Sequence, residues 1–385
     1  LKSRVRRFCS VTFLLALLTA PGGSAEAPFD FALVGDYPYF PRDHAGMPAL
    51  LEDLRAADLA WVLHVGDLHN PRSTPCSKSL LEERRAWFTE LGHPFVFTPG
   101  DNDWADCAEE SLHFLALLRQ VFFAEPGRVP GPAGFPVRSQ SEMASYPELV
   151  ENVLWERDGV VFATLHMIAP EFALFGAPEV VEKARLIEAG EDWLDEVFRQ
   201  AEQSDARGVF LATQVSLWPT SGNLQLFRVL RPELLDQAPA FAAFKAKLVE
   251  HARRFDRPIL VAHGDTHVFR VDKPLHDEHV EILQNVTRVE AFGSPHGHWV
   301  RVRVDPSRDE VFSIRQEWVP KNLYTLVPRE ERSDGFEDDD PVGAAIHLVR
   351  LLQLLPTVLA WIGAVVVLRA GWRVVLRRRK SGGGR

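Results

Sequence analysis

The sequence predicts a layered α/β protein, and three observations predict it. Short apolar runs recur along the chain, and each ends in a glycine or polar residue followed by a side chain that can ligate or hydrogen-bond. Helical patterns separate these runs. The first three runs are spaced like βαβ units: Asp36 to Asp67 is 31 residues and Asp67 to Asp101 is 34.

Taken in order, residues 29–34 read as a strand, 45–57 as a helix with Leu50, Leu51 and Leu54 on one face, and 59–65 as a second strand. A helix over 79–91 has Ser77 as a possible cap, and it is followed by a strand at 95–98 and an apolar-faced helix at 109–123. Residues 125–147, rich in Pro, Gly and Ser, read as an irregular excursion. A hairpin over 153–155 and 160–168 turns at Asp158-Gly159. The α/β alternation resumes with a helix at 182–203, a strand at 209–212, a helix at 241–255 and a strand at 259–262. Residues 268–316 are strand-rich, with clear alternation at 298–304.

The chain has 385 residues, 46% of them hydrophobic, which is enough for a large domain with a real core. Its net charge of −10 is uneven. The seven basic residues from Arg369 onward and the four among residues 2–7 leave the stretch between with −21. Such a surface speaks against DNA or RNA as partner, because phosphate polymers need a basic footprint.

Residues 1–27 have the three-part pattern of a secretory signal: a basic start, an apolar run from Phe8 to Ala20, and Ala25-x-Ala27 as a cleavage site. The domain then covers 28–325 and an acidic linker 326–345. A transmembrane helix is expected at 346–369, where residues 351–368 carry no charge. The basic tail, 370–385, belongs on the cytoplasmic side, so the domain is expected outside as a single-pass membrane protein. With Cys9 in the signal, Cys76 and Cys107 remain, either as a disulfide or as two free buried thiols. A bridge would close a loop of about 30 residues and stabilise by about 3–4 kcal/mol.

Five motifs follow the strands: Gly35-Asp36, Gly66-Asp67, Gly100-Asp101-Asn102-Asp103, Thr213-Gln214 and His263-Gly264-Asp265-Thr266-His267. Acids at the carboxyl ends of neighbouring strands stand where α/β folds bind ligands. They repel one another unless a cation neutralises them. The ordered set resembles the calcineurin-like metallophosphoesterases over residues 28–305, with Trp104 and Asp106-Cys107 after the third motif resembling a bacterial exported branch.

The resemblance implies an αββα sandwich of two mixed β-sheets flanked by helices, two divalent metal ions and hydrolysis of a phosphomonoester or phosphodiester. It maps metal ligands onto Asp36, Asp67 (bridging) and His267. Elsewhere the sequence departs from the family pattern. Pro38 stands where the family has a histidine, Asp101 at the ligand asparagine, and Asn102 at the catalytic histidine. Gln214 stands at the fourth-motif histidine and Asp265 at the first histidine of the fifth motif. Imidazoles thus give way to oxygen donors. Asp67, Asp101, Gln214 and Asp265 would serve one ion, and Asp36, Asp67 and His267 the other.

Oxygen donors favour Mn²⁺, Mg²⁺, Ca²⁺ or iron over Zn²⁺. For the leaving-group proton the candidates are His69 first, then His263 or His44. His166, His296, His298, Tyr37 and Tyr39 are further possible ligands, and Trp104 and Trp218 possible pocket walls. Two functions follow: an exported, membrane-anchored, metal-dependent phosphoesterase, or a non-catalytic metal-binding sensor or scaffold on the same fold.

Overall fold

The structure is a computed structural model that describes residues 27–107, 110–131, 134–169, 178–218, 241–277 and 279–323. Apart from Ala27, the expected signal, acidic linker, membrane-crossing helix and basic tail lie outside these residues. Among the described residues no helix is long and apolar enough to cross a membrane. The chain divides into two units, Leu1–Trp218 with Gln237–Val319, and Pro219–Asp236 with Pro320–Arg385. Of the second, the described part is a short 3-10 turn, Pro320–Asn322, and the residue after it. Everything below concerns the first.

The strands are β1 (Phe29–Val34), β2 (Val62–His64), β3 (Phe95–Phe97), β4 (Arg138–Ser139), β5 (Val153–Arg157), β6 (Val160–Thr164), β7 (Gly208–Ala212), β8 (Ile259–His263), β9 (Arg270–Asp272), β10 (Val286–Glu290), β11 (Trp299–Val304) and β12 (Phe312–Glu317). The helices are α1 (Pro41–Ala56), α2 (Lys78–Thr89), α3 (Ser111–Phe122), α4 (Pro178–Gln203) and α5 (Ala242–Phe255). One sheet runs β12-β11-β1-β2-β3 and the other β4-β5-β6-β7-β8-β10-β9. Both are mixed. β1, β2 and β3 are parallel, as are β6, β7, β8 and β10, with antiparallel strands outside them.

Strand alternation explains the layering. Phe31 and Leu33 of β1 point into a core shared with Phe162, Phe210 and Leu260 of the other sheet. Their neighbours Ala32 and Val34 face the opposite way, onto Leu50 and Leu54 of α1, Phe88 of α2 and Phe122 of α3. On the second sheet, Val161, Val209 and Val261 face outward onto Trp193 and Phe198 of α4 and Leu248 of α5. The result is four layers: helices, sheet, sheet, helices.

Several local expectations carry over. Ser77 Oγ accepts the Leu80 N–H at 3.1 Å and caps α2. The hairpin turns at Asp158 (φ 49°) and Gly159 (φ 70°), two positive φ values that fit a two-residue turn between twisted strands. Other ends move. α1 begins at Pro41, not 45, because proline is well placed at the first helical position, where an apolar repeat gives no sign of it. The irregular excursion contributes the edge strand β4 and a short 3-10 turn capped by Ser139.

Candidate active site

Every motif sits where a parallel strand ends. Asp36 follows β1, Asp67 follows β2, Asp101 follows β3, Gln214 follows β7, and Asp265 and His267 follow β8. Asp36 (φ 50°), Asp67 (φ 59°), Asp265 (φ 80°) and His267 (φ 61°) all lie in the left-handed region. Such conformations are costly for side chains other than glycine and concentrate at functional sites. Glycines make room. A Cβ on Gly100 would collide with Asp67 Oδ1, and one on Gly264 with Asp36 Oδ2.

The two deepest carboxylates share an amide. Gln214 Nε2 donates to Asp36 Oδ1 (3.3 Å) and to Asp67 Oδ2 (3.2 Å). Asp36 Oδ1 also accepts the Asp265 N–H at 2.9 Å, while its Oδ2 is buried and has no hydrogen-bond partner. Asp67 accepts the Tyr39 hydroxyl at 2.6 Å and the Asn102 N–H at 3.2 Å. Burial pushes both carboxyls well above the usual carboxylate range. Repulsion from Asp265 adds to this at Asp36, and from Asp101 and Asp36 at Asp67. A buried carboxylate with an unfilled oxygen, beside a second one, is what a bound cation would relieve.

His267 turns its ring to the same place. Its Nδ1 lies 2.8 Å from the Ser294 carbonyl, which makes Nδ1 the donor and leaves Nε2 unprotonated, 3.9 Å from Asp36 Oδ1. Metal-binding histidines are commonly oriented through their other nitrogen in this way. Burial lowers the His267 pKa, which keeps the ring in the neutral form.

Above these groups lies a cleft of about 520 Å³ lined by Tyr39, Asp67, Asp101, Asn102, Asp265 and His267, with Asn70, Arg72 and Asp106 toward its mouth. Asn102 Nδ2 donates to Tyr39 Oη at 2.8 Å. Asp265 Oδ2 accepts the Ser216 N–H at 2.8 Å, and Asp101 Oδ1 accepts the Asn102 N–H at 2.9 Å.

The structure therefore brings Asp36, Asp67, Asp101, Asn102, Gln214, Asp265 and His267 together at the carboxyl ends of parallel strands from both sheets. It does not bring the proton-donor candidates with them. His263 is fully buried at the end of β8, with Nδ1 on the Gly264 carbonyl, and burial lowers its pKa to about 3. His69 is buried, with Nδ1 on the Thr74 carbonyl, and burial lowers its pKa to about 4. His44 lies on α1 near Trp87. None of the three lines the cleft. His298 accepts the Val319 N–H in an aromatic cluster with Phe292 and Trp318, and His296 is exposed. Trp218 packs on His263, outside the cleft lining.

Several supporting residues escaped the sequence reading. Asp103 is no ligand. Its carboxylate accepts the N–H groups of Asp67, Leu68 and Gly100 (each 2.8 Å) and ties two motif loops together. Asp43 Oδ2 accepts from Tyr39 N, Phe40 N and Ser294 Oγ, joining the first motif to the loop that holds His267. Glu290 anchors the fifth motif through the Thr266 N–H and hydroxyl. His166, a ligand candidate, instead backs the third motif. Trp104 Nε1 donates to His166 Nε2 (3.0 Å), His166 Nδ1 meets Glu151 (2.8 Å), and Arg119 grips Glu151 with two nitrogens. Glycine and aspartate spacing carries no sign of partners so distant in the chain.

The donor set fits hard cations, since it comprises five oxygen-bearing side chains and one imidazole. Among the described residues, the one trio of His, Cys, Asp or Glu donor atoms within 4.8 Å of one another is His69, Cys76 and Cys107. Those cysteines form a disulfide, so that trio offers no thiolate. Among the described residues no trio of the cleft's own acids and histidine meets that limit.

No family model matches the chain, and no curated protein matches it in sequence. Among solved structures, TT1561 of Thermus thermophilus aligns at 12% identity and TM-score 0.42, over 76% of this chain and 100% of that one. A novel phosphatase of Mycoplasma pneumoniae aligns at 12% identity and TM-score 0.36, over 77% of this chain and 97% of that one. Likenesses this remote carry no argument about activity.

Proposed function

We propose that the chain is a metal-dependent phosphoesterase, exported and held at the cell membrane by its C-terminal segment. One observation carries the reading. Asp36 and Asp67 are buried side by side at the carboxyl ends of adjacent parallel strands, with an orphaned oxygen and an acid-lined cleft above them. The residues that would hold divalent ions are Asp36, Asp67, Asp101, Gln214, Asp265 and the Nε2 of His267. Such ions, when bound, offset charge on phosphoryl oxygens and make water a nucleophile at neutral pH.

The chain's own groups supply the rest. Arg72, exposed at the mouth, is the cation among the residues lining an otherwise acidic cleft, and it favours capture of an anionic substrate. Asn102, where the family resemblance has a histidine, donates an N–H and carries no titratable proton. With His69 and His263 elsewhere and His267 neutral with Nε2 turned to the metal site, the leaving oxygen has to take its proton from Tyr39 or solvent. Tyr39 is held protonated, since burial and the neighbouring Asp67 and Asp36 push its hydroxyl pKa well up. Export and anchoring rest on the charge and hydropathy pattern of the two chain ends. The disulfide Cys76–Cys107 is in keeping with an oxidising compartment.

The test is hydrolysis of a chromogenic phosphomonoester and phosphodiester by the full chain, with Mn²⁺, Mg²⁺, Ca²⁺ and Zn²⁺ in turn and Asp67→Asn as control. Turnover that needs Mn²⁺, Mg²⁺ or Ca²⁺ and disappears in Asp67→Asn supports the reading. Metal binding without turnover on either substrate would replace it with the sensor or scaffold.

A further inference from the structure

Cys76 and Cys107 tie together the two loops that line most of the cleft. Asn70, Pro71 and Arg72 come from the segment after the second motif, and Asp101, Asn102, Ala105 and Asp106 from the segment after the third. Cys107 Sγ lies 3.8 Å from the Asn102 carbonyl oxygen, so the bridge sits directly behind the cleft wall. A ring nitrogen of His69 lies within 4.8 Å of both sulfurs. His69 and Cys107 are buried and Cys76 is partly exposed, which leaves a way in from solvent. Nothing in the proposed hydrolysis uses His69.

We propose that, with the bridge reduced, Cys76, Cys107 and His69 form a second metal site, specific for a thiolate-preferring ion such as Zn²⁺ and distinct from the oxygen-rich centre in the cleft. A Cys2His set with one open position is an established zinc geometry, with Zn–S about 2.3 Å and Zn–N about 2.0 Å. The three donor atoms already lie within 4.8 Å of one another. Reduction consumes two electrons and two protons from a dithiol, which leaves as its own disulfide, and yields two thiols. Binding the ion then releases those two thiol protons. Re-oxidation by a small-molecule disulfide, which takes up the two electrons and two solvent protons and leaves as thiols, expels the ion and restores the bridge. In both states one link joins the loops at positions 76 and 107, so the cleft wall is held by sulfur–sulfur bonding or by metal.

The experiment uses the full chain with Co²⁺ as the probe. A phosphine reductant is used because it carries no thiol to compete for the ion. Thiolate ligation gives an intense sulfur-to-cobalt charge-transfer band that oxygen ligands in the cleft cannot produce. The reduced protein is expected to gain this band to one equivalent, and Zn²⁺ to bleach it stoichiometrically. The oxidised protein should show none, and Cys76→Ser should abolish it. His69→Ala should weaken binding at least tenfold. Asp67→Asn should leave the band unchanged, so failure of this site and failure of the phosphoesterase reading are read separately. The proposal is overturned by absence of the band after full reduction, by equal affinity in His69→Ala, or by loss of far-ultraviolet ellipticity on reduction, since a zinc-competent site requires the fold to persist.

Discussion

Two groups of buried acids flank the third motif in this molecule, and they behave oppositely. Glu151 is fully buried yet fully paired. Burial alone would raise its pKa, but Arg119 and His166 outweigh that and hold it at about 2. Asp36 and Asp67 are equally buried, share a single neutral amide, and are pushed well above the usual range. The Glu151 cluster is a finished ion-pair network that braces Trp104 and hence the third motif. The aspartate pair is electrostatically unfinished. Burial by itself does not mark the functional acids. Burial of two acids that share one neutral donor does.

The comparison can be broken most sharply at Asp67. Asp67→Asn should cut metal-dependent activity more than about 100-fold, beyond the loss typical of residues that merely orient a metal ligand. The same change should preserve or raise the melting temperature of the metal-free protein, because it removes a buried charge. A clear fall would mean that the carboxylate is structural. Glu151→Ala should do the reverse. It leaves Arg119 and His166 without their partner and should destabilise by about 3–5 kcal/mol in denaturant titrations, with metal affinity much less affected than in Asp67→Asn.

Acid and base arms of the stability curve sharpen the contrast. Glu151 has a folded pKa below its unfolded one, so its contribution is present above about pH 4.5 and is lost as the pH falls toward about 2. Asp103 runs the other way. Burial, the largest cause, raises it to about 6 despite three backbone donors, so its protonated form favours the fold and stability falls as pH rises from about 4 through about 6. Asp36 and Asp67, also raised by burial, act in the same direction. Thermal melts from pH 3 to 8 in chelator should therefore show a decline on the neutral side, and Mn²⁺ should remove the part that comes from Asp36 and Asp67. A curve that is flat above pH 5 in chelator would contradict the assignment. The smallest effect is expected from Trp104→Phe. It deletes one buried hydrogen bond and should cost about 1 kcal/mol, with a slight loss of metal affinity through the third-motif loop.

How much of this was legible in the sequence follows from chain distance. The strand ends and their Gly-Asp turns lie next to each other in sequence, so the α/β alternation and the aspartates at strand ends could be read directly, whereas the four layers were implied by the family resemblance. Gln214 could be placed as well, because a polar residue just past an apolar run has only the strand's end to occupy. The supports could not be read. Asp103, Asp43 and Glu290 act through backbone N–H groups or hydroxyls far along the chain, and no spacing announces them. The histidines misled for a related reason. His69 is two residues from Asp67, but the left-handed turn at Asp67 sends it toward the disulfide and away from the cleft. His166 ends an apolar strand and looked free, but Trp104 and Glu151 take both of its nitrogens. A ring's role depends on what occupies its two nitrogens, and that is a tertiary fact.

The central claim is that the aspartate pair is completed by a cation. Its most direct test is calorimetric titration of Mn²⁺ into the chelator-treated, oxidised full chain at neutral pH, beside Asp67→Asn and Glu151→Gln. Saturable binding in the wild type, retained in Glu151→Gln and lost in Asp67→Asn, is the expected result. Binding that survives unchanged in Asp67→Asn, or no binding to the wild type at millimolar Mn²⁺, would contradict it.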